Sequence, residues 1–491
     1  MPTDRDETLA AMEVLTAYLE DRDEVAYAEV GGVVQYKTDA VVTREGTRNA
    51  TAFTETGVWC RVFANGAADY RYTTALDEES LRDEADRAIR SAAQLAQTRP
   101  ARVDTETLHR AVHGGWGTTP RLTDLEPEAK VDRLRSALDA SRVDGVDRVR
   151  VTYADASVDH AITTTTGSAV RTTFERASTD LVVDAPACPT VRRFAGTLRG
   201  TAIFDEFESL AAEAFARVDD LRDRSADALA EEREADVVLS PRATAQLVHH
   251  LSHALEADAG YLGLPNHAVG DEVAGGGLAV EDAIRAGSWG AMAYDAEARP
   301  TEPVALVRDG AVASLLHDTE SAADHDAFPA GTAVPSLGFD APPRIHARHL
   351  DVEAGTASET DLLAGATAYV ERFDPPRYRD DLEARKRSGW MPPSVLYARD
   401  LRETAAESDR PDRGRVDWPI AEGYRVEGGE RTSRLDGAHL ASDPATLRGI
   451  SMLGSVRETT TGVCDKHRSR LPYAVTAPAV RLTAVLAPDD G

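Results

Sequence analysis

The sequence predicts an α+β protein in which amphipathic helices accompany antiparallel strands. Three observations indicate this fold class. Apolar residues recur at helical spacing in several stretches, the first over residues 7–21. Residues 27–76 tend to alternate between apolar and polar side chains and are punctuated by glycine-containing turns, which is typical of a β-meander. Residues 447–487 alternate in the same way, so the C-terminal part is expected to be rich in strands.

The same patterns give the elements of the first half in order. After the meander, helices are expected over residues 78–97, 125–142 and 205–230, and a loop over residues 98–121. Short alternating runs predict an antiparallel sheet with one solvated face, over residues 148–155, 160–166, 169–177 and 180–185.

The second half opens with an apolar strand and a helix that carries histidines. Val237, Val238 and Leu239 form a short apolar run, Ser240 can cap the next helix, and Pro241 fits its first position. Helical spacing then extends this helix over residues 240–258. Further along, a hairpin is expected over residues 304–317, with Asp309 and Gly310 in its turn, and a helix over residues 358–371 that begins at Ser358 or Thr360. Residues 378–414 are highly charged and interrupted by prolines, which indicates an insertion or a mobile loop.

The composition restricts the class of protein. The chain has 491 residues and a net charge of −29, and only four of its 55 basic residues are lysines. An acidic, lysine-poor surface is typical of a protein adapted to high salt, although a GC-rich genome would also favour arginine. The negative charge argues against binding to nucleic acid or to an anionic membrane.

Cysteine usage and the N-terminus suggest a cytoplasmic protein. The three cysteines, Cys60, Cys188 and Cys464, are far apart and odd in number, which does not suggest a disulfide framework. The acidic N-terminus lacks the apolar stretch of a signal peptide, and no run of apolar residues is long enough to span a membrane.

The histidine helix contains a candidate metal site. His249 and His253 are four residues apart, so a regular helix can direct both imidazoles at one ion, and Glu256 lies on the same side. The alternative is an ordinary polar helix face. Three histidines within five positions, His249, His250 and His253, favour the metal site.

Five segments of the second half form a recognisable series. They are HALEAD at 253–258, the 269–274 segment, PPRIHARHL at 342–350, RGISMLG at 448–454 and GVCDKHRSRLP at 462–472. These motifs resemble, in the same serial order, the TldD/PmbA family, formerly described as modulators of DNA gyrase and now understood as metallopeptidases. The resemblance covers nearly the whole chain, and the 378–414 segment departs from it.

The resemblance implies a two-domain fold and a zinc peptidase. An N-terminal α/β domain (1–235), with an antiparallel sheet and flanking helices, should precede a β-rich C-terminal domain (236–491). In the catalytic branch, the helix carries H-E-x-x-x-H, whose histidines bind zinc with a C-terminal cysteine while the glutamate acts as general base. His253 and Cys464 match two ligands, whereas Val248 and His249 replace the first histidine and the base.

Because valine cannot bind zinc, the altered motif predicts a rearranged site. His249, His253 and Cys464 are the expected ligands and leave one position open, as a catalytic zinc requires. Glu256, or His250 if it faces the site, is expected to assist proton transfer. Without the resemblance, Cys464 would be interpreted as a small buried hydrophobic residue.

His346 and His349 are weaker candidates. The simpler interpretation places both histidines on the surface, and the alternative places them in the substrate groove or among the ligands.

Two functions are therefore expected from the resemblance. The first is a zinc metallopeptidase that acts on unfolded or extended peptides and dimerises with a like or homologous subunit. The second is a catalytically inactive partner subunit that binds a homologous protease or a peptide.

Overall fold

The structure is a computed structural model. It describes residues 2–96, 101, 103, 121–141, 143–259, 267–378, 416–442, 446–466 and 468–489.

The first half of the chain forms a six-stranded sheet among the described residues. Its order is β3-β2-β1-β4-β5-β6, and every neighbouring pair is antiparallel. The long strands arise because the short runs expected from the sequence join into two continuous strands, β4 and β5. The strands are β1 (Val25–Thr43), β2 (Gly46–Ala64), β3 (Ala67–Thr73), β4 (Arg148–Thr164), β5 (Ala169–Asp184) and β6 (Val191–Thr197).

Four helices accompany this sheet. Helices α1 and α2 share a buried core with β1 and β2, in which Met12, Leu15 and Leu81 pack against Val62. Helices α3 and α4 share a second core with β4 and β5. The helices are α1 (Pro2–Glu20), α2 (Glu78–Leu95), α3 (Pro127–Ala140) and α4 (Ala202–Asp223).

The second half forms a larger mixed sheet, with 13 strands among the described residues. Strand β21 lies at its centre and pairs with β8, β14, β19 and β20. The strands are β7 (Ala226–Ala228), β8 (Arg233–Leu239), β9 (Val280–Asp282), β10 (Val304–Arg308), β11 (Ala311–Val312), β14 (His349–Val352), β15 (Ala368–Phe373), β16 (Arg377–Tyr378), β17 (Val416–Glu427), β18 (Glu430–Asp436), β19 (Ala438–Ser442), β20 (Ile450–Lys466) and β21 (Ser469–Pro488).

Short elements complete this half. Strands β12 (Ala333–Val334) and β13 (Arg344–Ile345) form a separate pair. The helices are α5 (Pro241–Ala254), α6 (Thr319–His325) and α7 (Glu359–Leu363). The predominance of strands over helices here confirms the expected α+β class with a β-rich C-terminal region.

A buried ion-pair network joins the two sheets. Glu422 on β17 accepts hydrogen bonds from Arg193 on β6, at 2.7 and 2.9 Å, and from Arg372 on β15, at 2.8 Å. The remaining nitrogens of both arginines also donate to oxygen atoms, including Glu213 Oε1 and Thr190 O. We call Glu422, Arg193 and Arg372 the Glu422 network. It is fully hydrogen-bonded, so it fixes the N-terminal sheet against the C-terminal one.

Several local expectations were wrong. The helix expected over residues 358–371 ends at Leu363, and residues 368–373 form β15, because Gly365 adopts a left-handed conformation (φ +78°) and β15 then pairs with β8 and β17. The helix expected over residues 205–230 ends at Asp223 and is followed by β7.

Other expectations are confirmed or stay predictions. The 304–317 hairpin forms as β10 and β11, with Asp309 and Gly310 both at positive φ in the turn. The expected loop at 98–121 and the 378–414 segment lie almost wholly outside the described residues. A domain division between residues 235 and 236 stays a prediction, and this position falls inside β8. None of the described helices is both long and apolar enough to span a membrane.

Candidate metal centre

Helix α5 is fixed at its start by the strand next to it. Ser240 accepts a hydrogen bond from the backbone of Ala243, at 3.1 Å, and its hydroxyl donates to the carbonyl of Glu371 on β15, at 2.7 Å. Pro241 occupies the first turn, where a missing N–H costs nothing. The cap therefore ties the helix to the sheet and sets where its histidines lie.

Four donor side chains meet beside this helix. His249 and His253 come from successive turns of α5, His346 follows β13, and Cys464 lies near the end of β20. One ligand atom from each of the four lies within 4.8 Å of all the others. The thiol of Cys464 is 3.4 Å from Nε2 of His253. We call these four residues the histidine–cysteine cluster.

The cluster contains buried polar atoms without hydrogen-bond partners. Both ring nitrogens of His346, which is 0% exposed, and Nδ1 of His249 have none among the described residues. A buried polar atom without a partner costs about 1–3 kcal/mol. At least one nitrogen on each of His249 and His346 is therefore left without a protein partner and is available to a ligand.

Burial also favours the uncharged forms of His249, His346 and Cys464. It lowers the pKa of His249 and of His346 well below the usual value, with smaller contributions from neighbouring groups. Burial, and then the carboxylate of Glu256, raise the pKa of the Cys464 thiol to about 12. Neutral imidazoles are ready to coordinate a cation, and a bound cation is what would favour the thiolate form of Cys464.

The carboxylate of Glu256 orients the ring of His253. Oε2 of Glu256 is 2.9 Å from Nδ1 of His253 and accepts a second hydrogen bond from Nζ of Lys466, at 2.7 Å. Because Nδ1 is occupied, Nε2 of His253 is left to face Cys464. A carboxylate behind a histidine is the usual way in which proteins orient a metal-binding imidazole.

Lys466 in turn joins the support to the rest of the site. Its ammonium donates to Glu256, to Asp258 at 2.7 Å, and to the carbonyl of Ile345 at 2.7 Å, next to His346. Burial disfavours the charge, but the two carboxylates outweigh burial and raise the pKa of Lys466. One charged nitrogen therefore links helix α5, the His346 segment and β20.

The ring of His249 is held by an aromatic neighbour. It stacks on Tyr473 of β21, with ring centroids 3.7 Å apart and an interplanar angle of 5°. Stacking on a rigid strand restricts the orientation of the imidazole.

The residues fit a metal ion that prefers nitrogen and sulfur ligands. Three imidazoles and one thiol form a donor set that zinc binds, and carboxylates are kept in the supporting layer. The donors, their closeness and their unsatisfied nitrogens all agree with this fit.

The other expected site residues lie elsewhere. His250 packs edge-on against Trp418, with ring centroids 5.4 Å apart, and contributes no donor to the cluster. Nδ1 of His349 is 2.7 Å from the hydroxyl of Ser288, and its Nε2 is 2.9 Å from that of Thr476. His346 and His349 are both buried, so the interpretation of these two as surface histidines was wrong.

Two residues of the site were not found from the sequence. Lys466 and Tyr473 drew no attention because a lysine and a tyrosine in a strand resemble ordinary surface residues. One signal was present, since Lys466 lies two positions after Cys464 and therefore projects from the same face of β20.

Comparison with known proteins gives an independent view of the chain. Residues 232–373 match the family model described as the PmbA/TldA metallopeptidase C-terminal domain. A protein of Methanothermobacter thermautotrophicus named Metalloprotease is 23% identical over 493 residues, which covers 96% of this chain and 98% of that protein.

Solved structures share the fold over the full length. A protein described as a modulator of DNA gyrase from Bacteroides thetaiotaomicron superposes with a TM-score of 0.71 at 15% identity, and covers 99% of both chains. TldE from Thermococcus kodakarensis gives a TM-score of 0.68 at 15% identity, over 97% of this chain and 100% of that one. Residues 232–373 therefore match a PmbA/TldA metallopeptidase C-terminal domain, and the full-length relative and the shared fold support the TldD/PmbA resemblance over the rest of the chain.

Proposed function

We propose that this protein is a zinc-dependent peptidase that acts on unfolded or extended peptides. The observation that carries the proposal is the histidine–cysteine cluster, in which buried donors lie together with unsatisfied nitrogens. His249, His253 and Cys464 hold the metal. When bound, zinc polarises a peptide carbonyl and activates water for attack.

The other residues of the site have distinct roles in this proposal. Glu256 is a positioning residue, since its Oε2 accepts from His253 and Lys466, while its Oε1 is buried and has no partner among the described residues. His346 belongs to the cluster, and neither of its ring nitrogens has a partner among the described residues. In the neutral ring, the nitrogen that carries no hydrogen can accept a proton. A histidine therefore takes the place of the glutamate that serves as base in the family pattern.

The strand that carries Cys464 supports an extended substrate. Strand β20 pairs with β21 along one edge, and residues 455–459 are exposed. Beyond Gly454, no described strand pairs with its other edge. An extended peptide can form main-chain hydrogen bonds to such an edge as far as Thr461. The next carbonyl, that of Gly462, already accepts from the indole of Trp289, at 2.9 Å, and Cys464 lies two residues further on.

His346 also supports a second candidate function. If His346 is a fourth ligand, the metal has four protein donors and no open position, which is the pattern of a structural zinc site. The protein would then act as a binding subunit for a homologous protease. The two functions differ in what His346 contributes.

Metal content and hydrolysis of an unfolded protein separate these functions. We expect about one zinc per chain in the unmutated protein, and loss of zinc in His249→Ala, His253→Ala and Cys464→Ala. His346→Ala should keep zinc and lose most hydrolysis if the protein is a peptidase. His250→Ala and Cys188→Ala are matched controls, because neither residue belongs to the cluster.

Two outcomes would contradict the peptidase proposal. Zinc that is absent from the unmutated protein, even after zinc is added back, would refute the metal site. Loss of zinc in His346→Ala, together with an unmutated protein that cleaves no unfolded substrate, would favour the binding subunit.

A further inference from the structure

A second site lies apart from the histidine–cysteine cluster. A small pocket that is partly open to solvent lies between one face of the N-terminal sheet and the loop at residues 335–343, and its cavity volume is about 40 Å³. Four aromatic rings line it, from Trp59, Tyr70, Phe174 and Phe339. Such a lining favours an apolar or aromatic group.

The aromatic walls are fixed in place. The ring of Phe339 rests on Gly57, where a Cβ would come within 2.1 Å of it, so only glycine permits this contact. The hydroxyl of Tyr70 donates to the carbonyl of Phe339, at 2.6 Å, and Tyr70 stacks on Trp59 with ring centroids 5.6 Å apart. The pocket is therefore preformed, which lowers the entropic cost of binding.

One positive charge in the pocket, that of Arg176, forms no ion pair with a carboxylate among the described residues. Nη2 of Arg176 donates to Oε1 of Gln35, at 2.6 Å, and to the carbonyl of Leu337, at 2.5 Å. Its Nε and Nη1 donate to no described residue, and no described carboxylate forms an ion pair with it. Glu55, whose charge acts on Arg176, is instead paired with Lys37, at 3.2 Å.

Apart from Glu55, the described ionisable groups that act on Arg176 add no negative charge. Burial lowers the pKa of Arg176 to about 10, so the guanidinium is still charged at neutral pH. Burial also lowers the pKa of His160, on the same wall, to about 4, so its ring is neutral. Arg470 adds to the positive charge nearby. A carboxylate is the group that a guanidinium binds through paired hydrogen bonds.

The loop at residues 335–343, which lines the pocket, is hydrogen-bonded to a strand of the candidate metal centre. The backbone N–H of Leu337 donates to the carbonyl of Arg470, and the hydroxyl of Ser469 donates to that of Pro342, both at 2.8 Å. Both partners lie at the start of β21, next to the end of β20. The same loop continues into β13 and then to His346.

We propose that this pocket binds a carboxylate that carries an aromatic or apolar group, which is the chemistry of the C-terminal residue of a peptide. Arg176 binds the carboxylate, and the aromatic rings receive the side chain. The identification with a peptide end rests on the proposed peptidase function, whereas binding of the carboxylate does not depend on zinc.

Calorimetric titration of the full chain tests this proposal. The probes are N-acetylphenylalanine, its amide and N-acetylglycine. We expect the unmutated protein to prefer the acid to the amide by about tenfold, and phenylalanine to glycine by a similar factor. Arg176→Gln should bring the acid and the amide to within about twofold of each other.

Two further variants distinguish loss of the Arg176 charge from damage to the fold. Arg171→Gln is the matched control, since Arg171 lies on the same strand but binds Asp159, at 2.7 and 2.9 Å, and does not line the pocket. It should keep the preference for the acid. Phe174→Ala should lose the preference for phenylalanine over glycine and keep that for the acid, so the test survives if Arg176→Gln fails to fold.

Several results would refute the proposal that this pocket binds a carboxylate. They are equal affinity for acid and amide in the unmutated protein, an unchanged preference in folded Arg176→Gln, or no binding of any probe at about 10 mM, which is weaker than useful recognition. Titration after removal of metal distinguishes the two proposals. If the protein prefers the acid probe to the amide but binds no zinc, the peptidase proposal is refuted and the carboxylate-binding proposal is retained.

Discussion

Two buried polar groupings in this protein differ in how completely they are hydrogen-bonded. In the Glu422 network, each nitrogen of Arg193 and Arg372 has an oxygen partner, and both oxygens of Glu422 accept. In the histidine–cysteine cluster, both nitrogens of His346 have no partner among the described residues. The polar atoms of the first grouping are satisfied within the protein, which fits a structural role. The second grouping leaves ring nitrogens available to a ligand, which fits a binding role.

The sharpest test of the comparison removes the charge at the centre of the Glu422 network. Glu422→Gln leaves two buried guanidinium groups poorly paired, so we expect a loss of about 3–5 kcal/mol in the free energy of unfolding, measured in urea. Zinc content should not change. Glu427→Gln, at the exposed end of the same strand, is the control and should cost little. A loss below about 1 kcal/mol in Glu422→Gln would mean that the network is not structural.

The unfolding free energy lost in Glu422→Gln should depend on pH in a defined way. Burial alone would raise the pKa of Glu422, but Arg193 and Arg372 outweigh it and lower the pKa to about 2, from a usual 4.5. The stability that Glu422 supplies is therefore complete above about pH 4.5 and is lost as the pH falls towards 2, a change of about 3 kcal/mol. Unfolding curves at several pH values should show the gap between the unmutated protein and Glu422→Gln narrowing with acid. A constant gap would contradict this assignment.

Zinc should stabilise the protein only through the histidine–cysteine cluster. A ligand that binds the folded state alone adds about 2.7 kcal/mol when its free concentration is 100 times its Kd. We expect a rise of this size in the unmutated protein and in Cys188→Ala, measured by urea unfolding with and without zinc. Cys464→Ala should show no rise. An equal rise in Cys464→Ala would place the zinc elsewhere.

The smallest expected effect concerns the support behind His253. Glu256→Gln weakens the acceptor that orients the imidazole, so we expect zinc affinity to fall by about 10–100-fold, measured by competition with a chelator. Asp465→Asn is a matched control, because this exposed carboxylate is adjacent to Cys464 and lies outside the support. Unchanged affinity in Glu256→Gln would remove Glu256 from the site.

The features that follow from local chemistry were predictable from the sequence. Helix α5 forms where Ser240 and Pro241 predict its start, and the turn at Asp309 and Gly310 forms because both residues tolerate positive φ. The exception among local features is the 358–371 helix. There, pairing of β15 with β8 and β17 overrides a helical pattern, and no local signal reports such pairing.

The site was predictable only in part. The spacing of His249 and His253 shows that they share a helix face, and the family resemblance adds Cys464. The placement of His346 depends on how the chain returns after β13, which periodicity does not encode. Lys466 escaped notice for a similar reason, since its partners Glu256 and Asp258 are about 200 residues away and meet it only in the folded protein.

The position of β21 has a consequence for how the protein is made. This strand is central in the C-terminal sheet, yet it follows the other strands of that sheet in the chain. During synthesis, β8 and β14 are made before β21, so neither can pair with it until it follows. Cys464 lies on β20, which forms a hairpin with β21. The nascent chain therefore cannot assemble the cluster until this hairpin has left the ribosome. A metal bound by the cluster would therefore be captured only after β20 and β21 have formed, and a loaded site would report that these strands are in place.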